Sequence, residues 1–491
     1  MTMKTLASGD QVNFDGAYYD YRAADGGKMI KLWVPPDSTP VRGIFISGHG
    51  GGGGDSRDFA RDLNFRAFAA RVGFGTVGLH NFPGREVFNN GGQVFFDALN
   101  EFAALGHHPE LAHVPFCFFG SSNGGSSSYA FVNHAPERAI CFVANVCSRF
   151  NPPEPVDGAL QVPGVVIVGM FDPFGNGAEG VQRAREMVYG ARARDARWSF
   201  VVAQKGHEDG YAFDTYVKLC EQCIALRYPS DADPSKGPVT LKQLPLESGW
   251  LVDHESWDSG LTHVAPYGAY DRDKRSAGWV ATEDMAMLYR AVSTHDRPVG
   301  LSIDGVAPIH NPHTNPQTMF SIGGPVVAPG RSLKLVCDTW DMPDWRKVTF
   351  YAGSRAIGEV TAPAEPSLTV EANPQDTVCT FTALVTSGDG ALRTTNPFYV
   401  FVRDPGVHID SSHKQTALPA YQDSIGPVGT RVTDRKKVSS PAGAGPVLVV
   451  PGLTADQEKQ FGATEGEVSA FWQDIEQQVR LTAKENADDS C

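Results

Sequence analysis

A strand-like apolar run, Pro115-Phe116-Cys117-Phe118-Phe119, ends in Gly120-Ser121-Ser122-Asn123-Gly124-Gly125, and a helix-like stretch follows. The string fits G-x-S-x-G with Ser122 at its centre. A serine on a tight turn between strand and helix presents its hydroxyl in the open, and only small residues two before and two after it avoid collision. The helix that starts there aims its positive end at any oxyanion formed beside it. Ser122 is therefore the expected nucleophile.

A hydroxyl is a weak nucleophile at neutral pH and needs a base, which in turn needs an orienting acid. Asp172 follows the apolar run Val165-Val166-Ile167-Val168-Gly169, and His207 follows Trp198-Ser199-Phe200-Val201-Val202-Ala203. The order is serine, acid, histidine, and each residue falls just past the carboxyl end of an expected strand. That edge is where open α/β sheets bind ligands. Asp209 stands too close to His207 and is expected to open the next helix, and Glu179 is a weaker rival. His80, His107, His108 and His113 precede Ser122, the wrong order.

An oxyanion also needs backbone donors. Ser47-Gly48-His49-Gly50-Gly51-Gly52-Gly53-Gly54 follows an early strand, and glycines let the chain turn its N–H groups inward. A phosphate-binding loop would end in Lys-Ser/Thr, whereas Asp55-Ser56-Arg57 follows here. The expected donors are the N–H of Asn123 and that of Gly50 or Gly51. His49, Phe82, Phe174 and Tyr211 fall near the expected mouth and suggest an apolar or aromatic group on the substrate.

These residues need a scaffold. Short apolar runs alternate with amphipathic stretches from about residue 28 to 226, the pattern of a mostly parallel sheet covered by helices on both faces. Strands are expected at Met29–Val34, Gly43–Ser47, Gly75–Leu79, Val114–Phe119, Ala139–Ala144, Val165–Gly169 and Trp198–Ala203, and helices at Phe59–Val72, Gln93–Leu105, Asn123–Asn133, Ala178–Tyr189 and Tyr211–Arg227. Residues 1–235 read as one α/β domain. Residues 236–297 read as an extension with one helix, Glu283–Val292, capped by Thr282 and too short for its own core.

From 298 to 405 the periodicity turns to two. Leu333, Leu335 and Cys337 alternate with polar positions, as do Cys379, Phe381, Ala383 and Val385, and turns are marked by Gly353-Ser354 and Gly388-Asp389-Gly390. An all-β sandwich is expected. Residues 406–491 read as linker followed by an amphipathic helix through Val468, Trp472, Ile475 and Val479, which would dock on the core or on a second copy of the chain.

The chain has 491 residues, 42 Lys and Arg against 56 Asp and Glu, and a net charge of −14. The resulting field repels phosphate backbones, so nucleic acid is a poor partner. No apolar run is long enough for a membrane span, and Met1 to Ala7 offer no secretory apolar core. Eight cysteines are too few for a disulfide scaffold. Cys220 and Cys223 form a C-x-x-C inside a helical pattern with no second pair in sequence, which reads as helix packing rather than as a zinc or redox motif.

The strand, Gly120-Ser121-Ser122-Asn123-Gly124, helix string and the order of Ser122, Asp172 and His207 resemble the α/β-hydrolase superfamily, nearest to serine esterases of the polyhydroxyalkanoate depolymerase, feruloyl esterase and dienelactone hydrolase kinds. The resemblance covers roughly residues 28 to 227. It implies hydrolysis of a small or polymeric carboxylic ester through an acyl-enzyme on Ser122, with no cofactor and no metal. Peptidase, thioesterase and lactonase chemistry would use the same residues, and a non-catalytic binding protein could share the scaffold. Val348-Thr349-Phe350-Tyr351-Ala352-Gly353 with Ile357-Gly358 resembles bacterial immunoglobulin-like domains, which implies export and sets Cys337 and Cys379 on facing strands, either disulfide-linked or free.

Overall fold

The computed structural model describes residues 17–23, 27–35, 40–48, 56–105, 108–147, 149–169, 172, 177–203, 207, 212–256, 261–294, 298–306, 325–374 and 376–405. The strands of the first part are β1 (Ala17–Arg22), β2 (Met29–Val34), β3 (Gly43–Gly48), β4 (Phe74–His80), β5 (Phe116–Ser121), β6 (Ala139–Asn145), β7 (Gly164–Gly169) and β8 (Trp198–Ala203). They form one eight-stranded sheet in the order β1-β2-β4-β3-β5-β6-β7-β8. From β4 to β8 all neighbours run parallel, and β2 and β1 add to the β4 edge antiparallel. The parallel strands are buried along their whole length, which is why they read as near-continuous apolar runs.

The helices are α1 (Leu63–Val72), a single turn α2 (Gly84–Glu86), α3 (Gly92–Leu105), α4 (Asn123–His134), the short α5 (Asp157–Leu160), α6 (Gly177–Ala193), α7 (Ala212–Arg227) and α8 (Glu283–Ser293). Seven expected strands and the long helices are present within a few residues of their expected bounds. The helix expected over Phe59–Val72 is broken: a 3-10 turn covers Arg57–Arg61, and Asp62 then caps α1 by accepting the Phe65 N–H at 2.9 Å. Apolar clusters lie on both faces of the sheet. One gathers α3 and α4 over Ile46, Phe118 and Val166, and the other gathers α1, α7 and α8 over Phe45, Phe119 and Ile167.

The extension adds a small antiparallel sheet, β9 (Trp250–Val252), β10 (Val264–Pro266) and β11 (Gly278–Val280), in the order β10-β9-β11, together with α8. Thr282 caps α8 by accepting the Met285 N–H at 3.3 Å. The extension closes the β8 edge of the main sheet. His254 Nε2 accepts the Phe200 N–H at 2.9 Å, and Tyr289 donates its hydroxyl to the Phe200 carbonyl, so backbone groups that an edge strand leaves unpaired are met by side chains.

The remaining strands are β12 (Gly300–Ile303), β13 (Val326–Val327), β14 (Ser332–Asp338), β15 (Trp345–Ala352), β16 (Arg355–Thr361), β17 (Ser367–Glu371), β18 (Val378–Ser387), β19 (Leu392–Thr394) and β20 (Phe398–Val402). They make a three-stranded sheet, β12-β14-β17, and a six-stranded one, β13-β20-β18-β15-β16 with β19 beside β18, antiparallel throughout except for the β13–β20 pair. Leu333, Leu335 and Cys337 of one sheet and Phe350, Phe381 and Val400 of the other lie in one shared core. Cys337 and Cys379 are free thiols, so no disulfide links them.

These sheets are not hung on a linker. Val378 and Phe401 are buried in the same apolar cluster as Phe65, Val217 and Met285. Arg403 donates to Asn64 at 2.7 Å, and Asp284 at the start of α8 accepts from both the Ser354 N–H at 2.7 Å and Gln222 of α7 at 2.9 Å. The described residues accordingly form one compact unit. The expected C-terminal helix lies outside the described residues. Among the described residues, no helix is long and apolar enough to cross a membrane.

Candidate active site

The carboxyl ends of the parallel strands share one edge of the sheet, and Ser122, Asp172 and His207 follow β5, β7 and β8 at that edge. Ser122 has φ 56° and ψ −122°, left-handed backbone that a residue with a side chain adopts at a cost of about 1–3 kcal/mol. Neighbouring groups hold it there. Its N–H donates to the Asn145 carbonyl at 2.8 Å, and its carbonyl accepts from the N–H groups of Gly125 at 2.9 Å and Ser126 at 3.2 Å, which ties the turn to the first turn of α4.

The glycines of the motif have a visible purpose. A Cβ on Gly120 would stand 1.9 Å from the Gly124 carbonyl oxygen, and one on Gly125 would stand 2.8 Å from the Asn145 carbonyl oxygen, so neither position has room for one. The serines after them let α4 lie close on the sheet: Ser128 donates to the Val143 carbonyl at 3.0 Å, and Ser127 donates to the Asn123 carbonyl at 2.9 Å and to the carbonyl of Phe82. Residues 124–133 of α4 are all buried.

The two adjacent serines are in different environments. Ser121 is 7% exposed and accepts from Asn145 Nδ2 at 2.9 Å, while Ser122 is half-buried at the rim. Asn145 is fully buried and serves both, through its side chain to Ser121 and its carbonyl to Ser122. The sequence reading missed it, although a lone asparagine closing the apolar run Ala139–Ala144 is a usable signal, since a buried amide must find partners.

Asp172 is buried, and its Oδ2 lies 2.8 Å from His207 Nδ1, the geometry in which a carboxylate holds one ring nitrogen and leaves the other to face a reacting group. Asp172 N–H also closes a turn onto the Gly169 carbonyl at 3.3 Å, so the carboxyl is set directly by the end of β7. Among the described residues, no hydrogen bond joins Ser122 to His207, which follows β8, three strands along the sheet from β5.

Asn123 opens α4, where backbone N–H groups have no partner within the helix. His49, Gly50, Gly51, Phe174 and Tyr211 lie outside the described residues. Phe82 is 6% exposed and belongs to the core, with its ring 6.2 Å from that of Phe131 and 6.5 Å from that of Phe95. Backbone with positive φ recurs along the rim at Asn81 after β4 and Val146 after β6, beside Ser122. Cys147, packed against Gly125, is pushed up to about 12 by burial, so its thiol stays neutral and does not compete as a nucleophile.

No protein-family model and no curated protein matches the chain. Among solved structures, an esterase from Pyrococcus furiosus is 13% identical, covering 43% of this chain and 91% of its own, with a TM-score of 0.30. A feruloyl esterase module from Clostridium thermocellum is 13% identical over 45% of this chain and 86% of its own, TM-score 0.28. The fibronectin(III)-like modules of CbhA, also from Clostridium thermocellum, are 16% identical over 21% of this chain and 94% of their own, TM-score 0.16. At such identities and scores the likeness bears on no activity.

Proposed function

We propose that the protein is a serine hydrolase of carboxylic esters. In this reading Ser122 attacks the ester carbonyl while His207 takes its proton, and Asp172 holds the imidazole and stabilises its cationic form. The alcohol leaves with a proton returned by His207. Water deprotonated by His207 then releases the acid from the acyl-enzyme and restores Ser122. The Asn123 N–H and an N–H of Gly50 or Gly51 would receive the developing oxyanion.

The single observation that carries this reading is the 2.8 Å Asp172–His207 pair standing on the same sheet edge as a serine in strained left-handed backbone. Hydrogen bonds from base to nucleophile are commonly long before substrate binds, so the absence of a Ser122–His207 bond in this state is compatible with it. The two antiparallel sheets with one shared core support an immunoglobulin-like reading of residues 298–405.

The test is covalent labelling. A fluorophosphonate probe should modify the full chain at Ser122, as mapped by peptide mass spectrometry, and Ser122→Ala should abolish both labelling and hydrolysis of p-nitrophenyl esters. Parallel assays with thioesters, lactones and peptide amides separate the reaction classes. An unlabelled Ser122 in a folded protein, or ester turnover that survives Ser122→Ala, overturns the proposal.

A further inference from the structure

Four cysteines meet in the core on the face of the sheet covered by α7. Cys117 of β5 and Cys141 of β6 are direct partners in the parallel register, so their side chains stand side by side on one face. Cys220 and Cys223 of α7 lie one helical turn apart, a spacing that puts both on one side of the helix. The second pair that the C-x-x-C lacks in sequence is thus supplied by two strands. All four are fully buried.

The sulfurs of Cys117, Cys141 and Cys220 all lie within 4.8 Å of one another, and those of Cys141 and Cys220 are 3.8 Å apart. Cys223 lies one turn further along α7, buried in the same cluster. A tetrahedral zinc site with Zn–S bonds of about 2.3 Å has sulfur–sulfur edges of about 3.8 Å. A disulfide, by contrast, needs sulfurs about 2 Å apart, and all four residues are free thiols.

A second feature points the same way. Arg227, at the end of α7, is 3% exposed and donates to the main-chain carbonyls of Lys242 at 3.0 Å, Ala139 at 2.8 Å and Ile140. Among the described residues, no carboxylate forms an ion pair with it, and its bond to the Ile140 carbonyl sets it beside Cys141. A buried cation is costly unless compensated. Three or four thiolates around a divalent ion carry net negative charge, which this guanidinium would offset.

We propose that Cys117, Cys141, Cys220 and Cys223 form a buried thiolate site for a thiophilic metal ion, with zinc as the fitting case and Arg227 as its counter-charge. Each ligating thiol gives its proton to solvent as the ion enters, and no electrons move. Because the site is sealed, it would load as the chain folds. It is independent of the esterase reading, since none of these residues takes part in that chemistry.

The test is metal content of the full-length protein. Produced with zinc in the medium and passed over a chelating resin, the protein should hold about one zinc or other thiophilic ion per chain, the stoichiometry of a closed structural site, by inductively coupled plasma mass spectrometry. Cys117→Ala, Cys141→Ala and Cys220→Ala should each lose it, and Cys379→Ala, in a separate core, should keep it. If these variants do not fold, the wild-type protein decides alone: refolding with cobalt should produce thiolate-to-cobalt charge-transfer absorption, with proton release that zinc reproduces. Folded wild-type protein with no bound metal and no such absorption, or an unchanged metal content in the three variants, overturns the proposal.

Discussion

Replacing Asp172 by asparagine tests the proposed mechanism at its best-defined contact. The substitution keeps the shape of the side chain and removes only the charge facing His207. In the proposed first step the imidazole becomes cationic 2.8 Å from Asp172 Oδ2. Unit charges at that distance attract by about 6 kcal/mol at an effective dielectric constant near 20. The His207 side chain is 22% exposed, so water screens part of this, and about half, roughly 3 kcal/mol, is expected to be lost from the transition state. At about 1.4 kcal/mol per factor of ten, kcat/KM for a p-nitrophenyl ester should fall about 10²-fold, rising toward 10⁴-fold if the amide also selects the wrong imidazole tautomer. Stopped-flow or steady-state hydrolysis, with thermal unfolding run alongside to verify the fold, reads the effect. An Asp172→Asn enzyme that is folded and hydrolyses esters within threefold of the wild type would refute the assignment of Asp172.

Three further outcomes are expected. Ser121→Ala should keep ester turnover within about tenfold while lowering stability by about 1–2 kcal/mol in denaturant titrations, because it removes the hydroxyl that accepts from the Asn145 amide. Ser122→Gly should abolish turnover yet raise the unfolding free energy by about 1 kcal/mol, since glycine adopts φ 56° without strain; a loss of stability would show that the turn is not strained. His254, held down to about 3 chiefly by burial and secondarily by the nearby Arg192 charge, is neutral in the fold but takes a proton in the unfolded chain below about pH 6.5. The unfolded state therefore binds the extra proton between those limits, and stability falls by about 1.4 kcal/mol for each pH unit lost in that window. His254→Gln should flatten this slope between pH 7 and 5, and equal slopes in both proteins would exclude His254 as its source.

Much of the frame was legible because the parallel strands are covered on both faces and must read as unbroken apolar runs; β5, β7 and β8 could each be located, and with them the residues at their carboxyl ends. β1 escaped, since Asp20 and Arg22 interrupt its tyrosines and leave no unbroken apolar run, although Tyr19 and Tyr21 pack against the core. The break at Asp62 was hidden by apolar residues on both sides of it. The difference between Ser121 and Ser122 rests on Asn145, which stands on another strand, and spacing along one chain segment carries no record of such a partner. The same holds for the cysteines. Cys220 and Cys223 look like a solitary pair until the sheet register sets Cys117 beside Cys141.

The docking of the antiparallel sheets sets a limit on how this protein can be cut. Val378 and Phe401 plug the surface formed by Phe65 and Val217, and Arg403 and the Ser354 turn fasten onto Asn64 and Asp284. A fragment that stops where the main sheet's extension ends would bare that oily seam to water and stick to its own kind. Any effort to trim the molecule to a minimal catalyst must either carry these strands along or repaint the faces they shield with polar side chains.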